Sequence, residues 1–358
     1  MFIDIPRPRT MNTTPAFYPS LEGAQHGKKT LDQLLAFARQ SGARGVQPSN
    51  FHLQDGDGFK PASMISSLFE EHGLLISGFS AHCPFWVHTT AWTGSKTIRP
   101  FIPKSVAQLS VEEIEQWAED YILRFLDLCA ELNVKIVPMF WGTAFGLEVA
   151  GGYPWGLWKG EDYDLIAEGK ERFVKKTQKI RDHANSLGIY LAHEIHPGTG
   201  AMCADDFLTL VEITDEDPSV VVNGDLSHCW EGESWQDRFM KVGPRVFATH
   251  LKDFRIKAGH PLRSMKAEWP DRGMQFVPLG DGEGAGAMRA YAELMLQVGY
   301  QRRYCEITGQ ESAPLVVEAE SAFWDLDTTS AHGIAFVNEH LRFPQATGSF
   351  EDGMGEKK

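Results

Sequence analysis

The chain alternates between amphipathic segments and short apolar runs. Apolar residues that recur every three or four positions predict helices. These helical patterns cover residues 30–41, 61–72, 110–132, 163–187, 204–214, 234–242, 286–298 and 317–341. Runs rich in β-branched and apolar residues predict strands at 45–47, 74–79, 134–140, 189–194, 220–224, 246–250 and 303–307, preceded by a first strand near Phe17 and Tyr18.

The alternation amounts to about eight βα units, the number that closes a (β/α)8 TIM barrel. No linker rich in Pro, Gly or Ser divides these units, so we predict a single barrel domain over residues 1–345 and a disordered polar tail over 346–358. Three segments are too long for simple turns, at 83–109, 141–162 and 254–284. Each follows a strand, so we expect these insertions on the C-terminal face, where barrels place their active sites.

Four consecutive predicted strands end in side chains that can bind a metal. Glu194 is followed two residues later by His196, and the next three strands end at Asp225, His250 and Glu306. Residues i and i+2 of a strand project to the same side, so Glu194 and His196 should point together. Because the strands of a barrel end around one mouth, the four strand ends should meet there.

A set of three carboxylates and one imidazole favours a hard divalent cation. Oxygen-rich sites suit Mn2+, Mg2+ or Co2+ better than a thiolate zinc site. The cation also relieves the repulsion between carboxylates that face one another. We therefore predict one divalent metal ion bound by Glu194, Asp225, His250 and Glu306.

Aromatic residues are concentrated in the first two insertions. They are Phe85, Trp86 and Trp92 in the first, and Trp141, Phe145, Tyr153, Trp155 and Trp158 in the second. Sugar rings pack on aromatic faces, so we expect substrate contacts here, with Trp141 among them. Anchoring of the long loops explains any single tryptophan equally well. His82, after the third strand, is a candidate contact to a substrate hydroxyl.

Composition and charge restrict the class of protein. A formal net charge of -14 repels a phosphate backbone at long range, so we predict no nucleic-acid partner. No apolar run approaches the roughly 18 to 20 residues that span a bilayer, and the N-terminus lacks the layout of a secretory signal. The 5 cysteines form no CxxC pair, which fits reduced thiols and a cytoplasmic location.

The strand-end motifs resemble the xylose-isomerase-like TIM-barrel superfamily, specifically its sugar phosphate isomerase/epimerase branch. That branch includes ketose 3-epimerases and inosose-processing enzymes. The matching motifs are Glu194-Ile195-His196-Pro197, Asp225-Leu226-Ser227-His228, His250-Leu251-Lys252-Asp253 and Glu306. The resemblance spans roughly residues 30–341 and implies a Mn2+-type ion at the four predicted ligands. The chain is longer than the simple ketose epimerases, and its insertions are unusual.

The resemblance also implies roles around the ion. His228 would contact a substrate hydroxyl, and either Arg255 or Lys252 would contact a substrate oxygen. Glu194 and Glu306 would serve as base and acid on the two faces of a sugar whose C–H bond is acidified beside a metal-chelated carbonyl. The expected activity is an isomerase or epimerase acting through an enediolate on a sugar or keto-sugar. The expected partner is a small carbohydrate. Formation of a homo-oligomer is left open.

His196 is a candidate base for a second possible activity, a lyase reaction. An imidazole is well suited to proton transfer near neutral pH, although this one could instead pack beneath the following loop. Some relatives in the superfamily use similar chemistry for elimination from 3-keto sugars. The same ion would then serve a lyase or dehydratase acting on a 3-keto-glycoside or inosose. An apurinic-site-type endonuclease is disfavoured by the acidic charge, and a sugar-binding protein with a relic site is a further alternative.

Overall fold

Eight parallel strands form one sheet in the computed structural model, which describes residues 14–144, 160–229, 232–262 and 268–343. In chain order they are β1 Phe17–Glu22, β2 Gly45–Gln47, β3 Leu75–Ile76, β4 Ile136–Met139, β5 Tyr190–Glu194, β6 Val220–Asp225, β7 Val246–Leu251 and β8 Ala313–Val317. Strands that are consecutive in the chain pair with one another except β3 and β4, and β8 pairs in parallel with β1. Only β3 and β4 stand at the two ends of this order.

A backbone contact crosses the seam between β3 and β4. The amide N–H of Ala81 donates to the carbonyl oxygen of Pro138 at 3.1 Å. Apolar residues of the strands and of the surrounding helices form a buried core in which Phe125, Phe173 and Phe207 are fully buried. This order of parallel strands with intervening helices confirms the predicted (β/α)8 TIM barrel. All eight strands therefore direct their carboxyl ends toward the same face.

Ten α-helices accompany the strands over the described residues. They are α1 Leu31–Gln40, α2 Ala62–His72, α3 His82–Thr89, α4 Val111–Glu131, α5 Leu165–Leu187, α6 Ala204–Ile213, α7 Trp235–Val242, α8 Ala285–Gln297, α9 Tyr300–Thr308 and α10 Leu326–His340. Capping boxes at Thr30 and Ser110 begin α1 and α4, and Gly188 ends α5 in the left-handed conformation with φ 64°. None of these helices has the length and apolar character needed to cross a membrane.

The first and third insertions contain regular structure within their described residues. The first contains α3, which begins at His82. The third contains an antiparallel hairpin in which Asp253–Ile256 pairs with Met274–Val277. The predicted aromatic contacts of the second insertion at Phe145, Tyr153, Trp155 and Trp158, and the predicted tail over 346–358, lie outside the described residues.

The sequence prediction was wrong at the eighth unit. The segment 303–307, predicted as a strand, belongs to helix α9. The eighth strand lies further along the chain at Ala313–Val317, and the last helix begins at Leu326 rather than at 317. A short run of alternating apolar and polar residues fits a strand or one face of a short helix, so periodicity alone could not decide between them. This displacement changes which acidic residue reaches the barrel mouth.

Candidate metal centre and active site

Three carboxylates meet at the mouth of the barrel. Glu194 and Asp225 are the last residues of β5 and β6, and Glu318 directly follows β8. All three are buried, with relative exposures of 2%, 2% and 7%. One carboxylate oxygen from each lies within 4.8 Å of those from the other two. The three strand ends thus bring oxygen atoms close enough to share one cation.

His250, near the end of β7, completes this set. Its Nδ1 lies 3.0 Å from Glu194 Oε2 and 3.1 Å from Glu318 Oε2. Its Nε2 lies 2.7 Å from Oε1 of Gln47, at the end of β2. An amide oxygen only accepts, so the Nε2–H donates to Gln47 and the lone pair of a neutral ring falls on Nδ1. Despite burial, Glu194 and Glu318 hold the pKa of His250 well above its usual value, so a cation bound at Nδ1 would take the place of a proton there.

The electrostatics of the cluster keep its carboxylates ionised, which is the form that binds a cation. Burial opposes ionisation of Glu194, but contacts with His228, His250 and His82 outweigh it and hold its pKa well below the usual range. Burial opposes ionisation of Glu318 as well, and Lys252 and His250 nonetheless lower its pKa. Three ionised carboxylates in one buried site need compensating cations.

An unbonded oxygen at the centre of the site also fits a cation. Asp225 Oδ2 is buried and makes no hydrogen bond to the described residues, although it lies 3.2 Å from His228 Nε2 and 3.4 Å from Lys252 Nζ. Together with Glu194, Glu318 and Nδ1 of His250, it forms a set of three carboxylates and one imidazole. Oxygen-rich donors of this kind suit Mn2+, Mg2+ or Co2+.

Lys252 and His228 contribute the positive charge beside the carboxylates. Lys252 Nζ lies 3.1 Å from Glu318 Oε2 and 3.6 Å from Glu320 Oε1. The same amino group lies 4.7 Å from the ring centre of Phe276, which the hairpin of the third insertion places against the site. His228 Nε2 lies 3.0 Å from Glu194 Oε1. Two of the three side chains that the resemblance offered as substrate contacts, His228 and Lys252, therefore adjoin the cluster.

His196 and His82 also lie at the cluster. His196 Nδ1 is 2.6 Å from the carbonyl oxygen of Pro197, so Nδ1 carries the proton and Nε2 holds the lone pair. Its ring lies 4.0 Å from that of His228, and burial, aided by His228, lowers the pKa of His196 to about 3. His82 Nε2 lies 3.6 Å from Glu194 Oε2. His196 is thus held as a neutral imidazole.

The prediction of Glu306 as a ligand and catalytic residue was wrong. Its side chain is 66% exposed on helix α9, where its nearest ionic partner is Arg302 at 4.0 Å. Helix α9 packs outside the barrel between β7 and β8, so Glu306 cannot share an ion with residues at the mouth. Glu318 occupies the place that the sequence analysis gave to Glu306.

Two predicted substrate contacts have other surroundings. Trp141 is fully buried, and its ring packs against Phe85 and Phe173 at centroid distances of 5.2 and 5.7 Å. It is a core residue, which corrects its assignment to the substrate. Arg255 lies on the exposed half of the hairpin, where it donates to Gln275 Oε1 at 3.0 Å and lies over Phe323. Between the two basic candidates, the structure brings Lys252 to the carboxylates.

The sequence analysis missed two buried acids at the mouth. Glu318 follows the apolar run 313–317, and Glu22 is the last residue of β1. Glu22 accepts a hydrogen bond from Ser80 Oγ at 2.6 Å, and its Oε2 lies 3.7 Å from His250 Nε2. Burial raises the pKa of Glu22. The signal for both was the one used for Glu194, an apolar run that ends in an acid.

The fold and this site define a TIM barrel with a set of carboxylates and histidine at its mouth that could hold a cation. The chain belongs to the xylose isomerase-like TIM barrel family, whose model matches residues 35–326. This finding confirms the resemblance stated from the strand-end motifs. A search of curated proteins finds no significant match.

Solved structures with the same fold are similar to this chain along most of its length. A xylose isomerase-like TIM barrel protein from Mycobacterium smegmatis, in complex with magnesium, is 17% identical, with 91% of this chain and 97% of that chain covered at a TM-score of 0.55. D-allulose 3-epimerase from Methylomonas sp. is 13% identical, with coverages of 92% and 100% and a TM-score of 0.56. The probable 3-DHS dehydratase of Bacillus anthracis is 15% identical, with coverages of 90% and 99% and a TM-score of 0.55. At these identities the similarity establishes the fold.

Proposed function

We propose that this protein is a divalent-metal-dependent isomerase or epimerase that acts on a sugar or keto-sugar. The observation that carries the proposal is the convergence of Glu194, Asp225 and Glu318 within 4.8 Å, with His250 Nδ1 3.0 and 3.1 Å from two of them. The complexed magnesium of the M. smegmatis protein and the sugar activity named for the Methylomonas epimerase support it. We favour Mn2+ as the ion and a small carbohydrate as the substrate.

A divalent cation held by these four residues would polarise a substrate carbonyl and the neighbouring hydroxyl, which acidifies the C–H bond between them. The chain supplies the groups that move the proton. Glu194 and Glu318 extend from β5 and β8, so they approach a bound sugar from different directions. One carboxylate would remove the proton on its face, and the other, after taking up a proton from solvent, would return it on the opposite face.

The surrounding residues hold these two acids in place. Asn223 Nδ2 donates to Glu194 Oε2 at 2.9 Å, and His228 approaches the other oxygen. Gln25 Nε2 donates to Glu318 Oε1 at 2.6 Å, while Lys252 lies on the Oε2 side. The Phe276 ring covers Lys252 and excludes water from this edge of the site.

A lyase or dehydratase acting on a 3-keto-glycoside or inosose is the second candidate. The neutral imidazole of His196 favours it, because its Nε2 lone pair lies in the same group of side chains as Glu194 and His228. Such a base could remove a proton whose loss expels a substituent from the next carbon. The probable dehydratase among the solved structures has the same fold. Release of an aglycone from a 3-keto-glycoside would distinguish this reaction from epimerisation.

The proposal is tested by hydrogen exchange on sugars in D2O. Protein loaded with Mn2+ is incubated with a panel of aldo and keto sugars, and deuterium uptake at carbon is followed by NMR. Glu318→Gln should lower the exchange rate by at least about 100-fold, because it removes a charged ligand and an acid–base group. Metal affinity measured by calorimetry should fall in the same variant.

Glu306→Gln is the matched control, because it makes the same substitution on the exposed face of α9. It should leave both exchange and metal affinity at the level of the unmodified protein. Normal exchange in Glu318→Gln would contradict the assignment of this carboxylate. Absence of exchange with every sugar, in protein that binds the metal, would contradict the proposed activity.

A further inference from the structure

A cavity of about 340 Å³ lies beside the metal centre. It is formed by residues that follow β1, β2 and β3, on the same face of the barrel as the metal ligands. His82 lines this cavity, and its Nε2 lies 3.6 Å from Glu194 Oε2. One imidazole therefore borders both spaces. A substrate held by the proposed metal ligands would lie next to this cavity.

The walls of this cavity are largely flat and apolar. Phe51, Phe101 and Trp117 supply aromatic rings, and Pro84 supplies a further apolar face. Phe101 is 50% exposed, and its ring packs edge-on against Trp86 at 5.1 Å between centroids. Among the described residues that line the cavity, none is Asp, Glu, Lys or Arg. Such walls suit a planar, uncharged group.

One hydroxyl in the cavity wall is arranged as a hydrogen-bond donor. The Tyr121 oxygen accepts from Asn50 Nδ2 at 2.9 Å and from Gln54 Nε2 at 2.8 Å. A phenol oxygen has two lone pairs and one proton, so both lone pairs are engaged and the proton remains to be donated. Burial raises the pKa of Tyr121 to about 12, which keeps that proton in place. The cavity thus offers a donor to a ligand oxygen.

We propose that this cavity binds an aromatic ring bearing an oxygen substituent, joined to the sugar that is held at the metal centre. An apolar cavity of about 150 Å³ binds benzene, so this one has room for one or two fused rings. A second sugar ring would need partners for several hydroxyls, but three polar side chains of the wall are already engaged: Asn50 and Gln54 donate to Tyr121, and Ser49 donates to Asn50. The inference rests on the proposed function for the sugar and adds the class of its substituent.

Binding of phenyl β-D-glucopyranoside tests the inference directly. Saturation-transfer NMR and calorimetry on the Mg2+-loaded protein should show contact with the phenyl protons. The phenyl glycoside should bind about tenfold more tightly than the methyl glycoside or cellobiose, a difference of about 1.4 kcal/mol. Phe101→Ala removes an aromatic wall, and Tyr121→Phe removes the donor; each should weaken binding of the phenyl glycoside several-fold.

The control variant is Met240→Ala, which truncates an apolar side chain that is 53% exposed on α7. It should leave binding of the phenyl glycoside unchanged. Equal binding of cellobiose and the phenyl glycoside, or binding that Phe101→Ala and Tyr121→Phe leave unchanged in folded protein, would overturn the inference.

The two proposals fail in different experiments. Deuterium exchange with an unsubstituted keto-sugar tests the metal-dependent activity and does not involve the cavity. If that exchange occurs while the phenyl glycoside binds no better than the methyl glycoside, only the cavity inference is overturned. If the phenyl ring binds and the two cavity variants weaken it while no sugar exchanges, the aryl site is supported and the proposed activity is overturned.

Discussion

The imidazole of His250 owes its orientation to a residue on a distant strand. Gln47 accepts the Nε2–H at 2.7 Å, which leaves Nδ1 to face Glu194 and Glu318. Partners of this kind commonly change metal affinity by 10–100-fold when removed. We predict that Gln47→Leu weakens Mn2+ binding by about 10-fold or more, measured by calorimetry.

Gln47→Glu retains an acceptor at the same position and serves as the conservative comparison. It should keep more of the metal affinity than Gln47→Leu does, because Nε2–H still finds an oxygen. Equal Mn2+ affinity in Gln47→Leu and the unmodified protein would show that Gln47 has no part in orienting His250.

Residue by residue, the sequence predicted Glu194, Asp225 and His250 but placed the fourth ligand at Glu306. The run 303–307 has β-prone residues and an acid, so it fitted the same pattern as the true strands. The true strand contains Pro314, a residue that lowers the expectation of a central strand. Only the pairing of β8 with β1 and β7 shows that Glu318 is the one at the mouth.

Among the secondary-structure elements, the hairpin of the third insertion is held to the barrel by one buried acid. Asp253 accepts hydrogen bonds from the backbone N–H groups of Gly280, Gly282 and Glu283 at 2.9 to 3.0 Å. A Cβ at Gly282 would lie 2.1 Å from the carbonyl oxygen of Phe254, so the loop closes tightly on the hairpin. This single carboxylate therefore orders the connection between the hairpin and α8.

We predict that Asp253→Ala lowers the free energy of unfolding by about 2–3 kcal/mol, because it leaves three partly buried N–H groups without their acceptor. Urea denaturation of the metal-free protein measures this loss. Asp281→Ala removes an exposed carboxylate from the same loop and should change stability by less than about 0.5 kcal/mol. Similar stability of the two variants would contradict the anchoring role.

The elements that carry the insertions were harder to predict than those of the barrel. Helices with capping boxes, such as α1 and α4, matched their predicted ranges within two residues at each end. Helix α3 lay unrecognised in a segment interpreted as a loop. Its position depends on contacts with distant residues, such as the hydrogen bond from Trp86 Nε1 to the carbonyl oxygen of Gly198. Local sequence does not contain such tertiary contacts.

At the scale of the whole molecule, the repeating order of strand and helix was enough to predict the barrel. The fold can be predicted correctly even when one unit is assigned wrongly, because the other seven still fix the sheet and the face on which the strands end. A metal site cannot be predicted correctly after such an error, since each ligand is a single residue on a single strand. The fold was therefore predicted more completely than the site built on it.

The stability of the whole protein should fall in mild acid because several histidines are buried in neutral form, His26 and His52 among them. Burial, with a nearby lysine adding to it, lowers the pKa values of His26 and His52 to about 4 each. In the unfolded chain these groups titrate near 6.5, so between about pH 6.5 and 4 the unfolded state binds more protons than the folded state. The free energy of unfolding must then decrease as the pH falls through this window, by at most about 1.4 kcal/mol per pH unit for each histidine.

Urea denaturation of the metal-free protein at several pH values from 7.5 to 4.5 measures this slope. The double variant His26→Gln and His52→Gln lacks both groups, so its unfolding free energy should depend less on pH across this range. His332→Gln, a substitution of a partly buried histidine at another site, should keep the steeper slope of the unmodified protein. If the double variant keeps that slope as well, other groups set the acid sensitivity, and the neutral state assigned to His26 and His52 is incorrect.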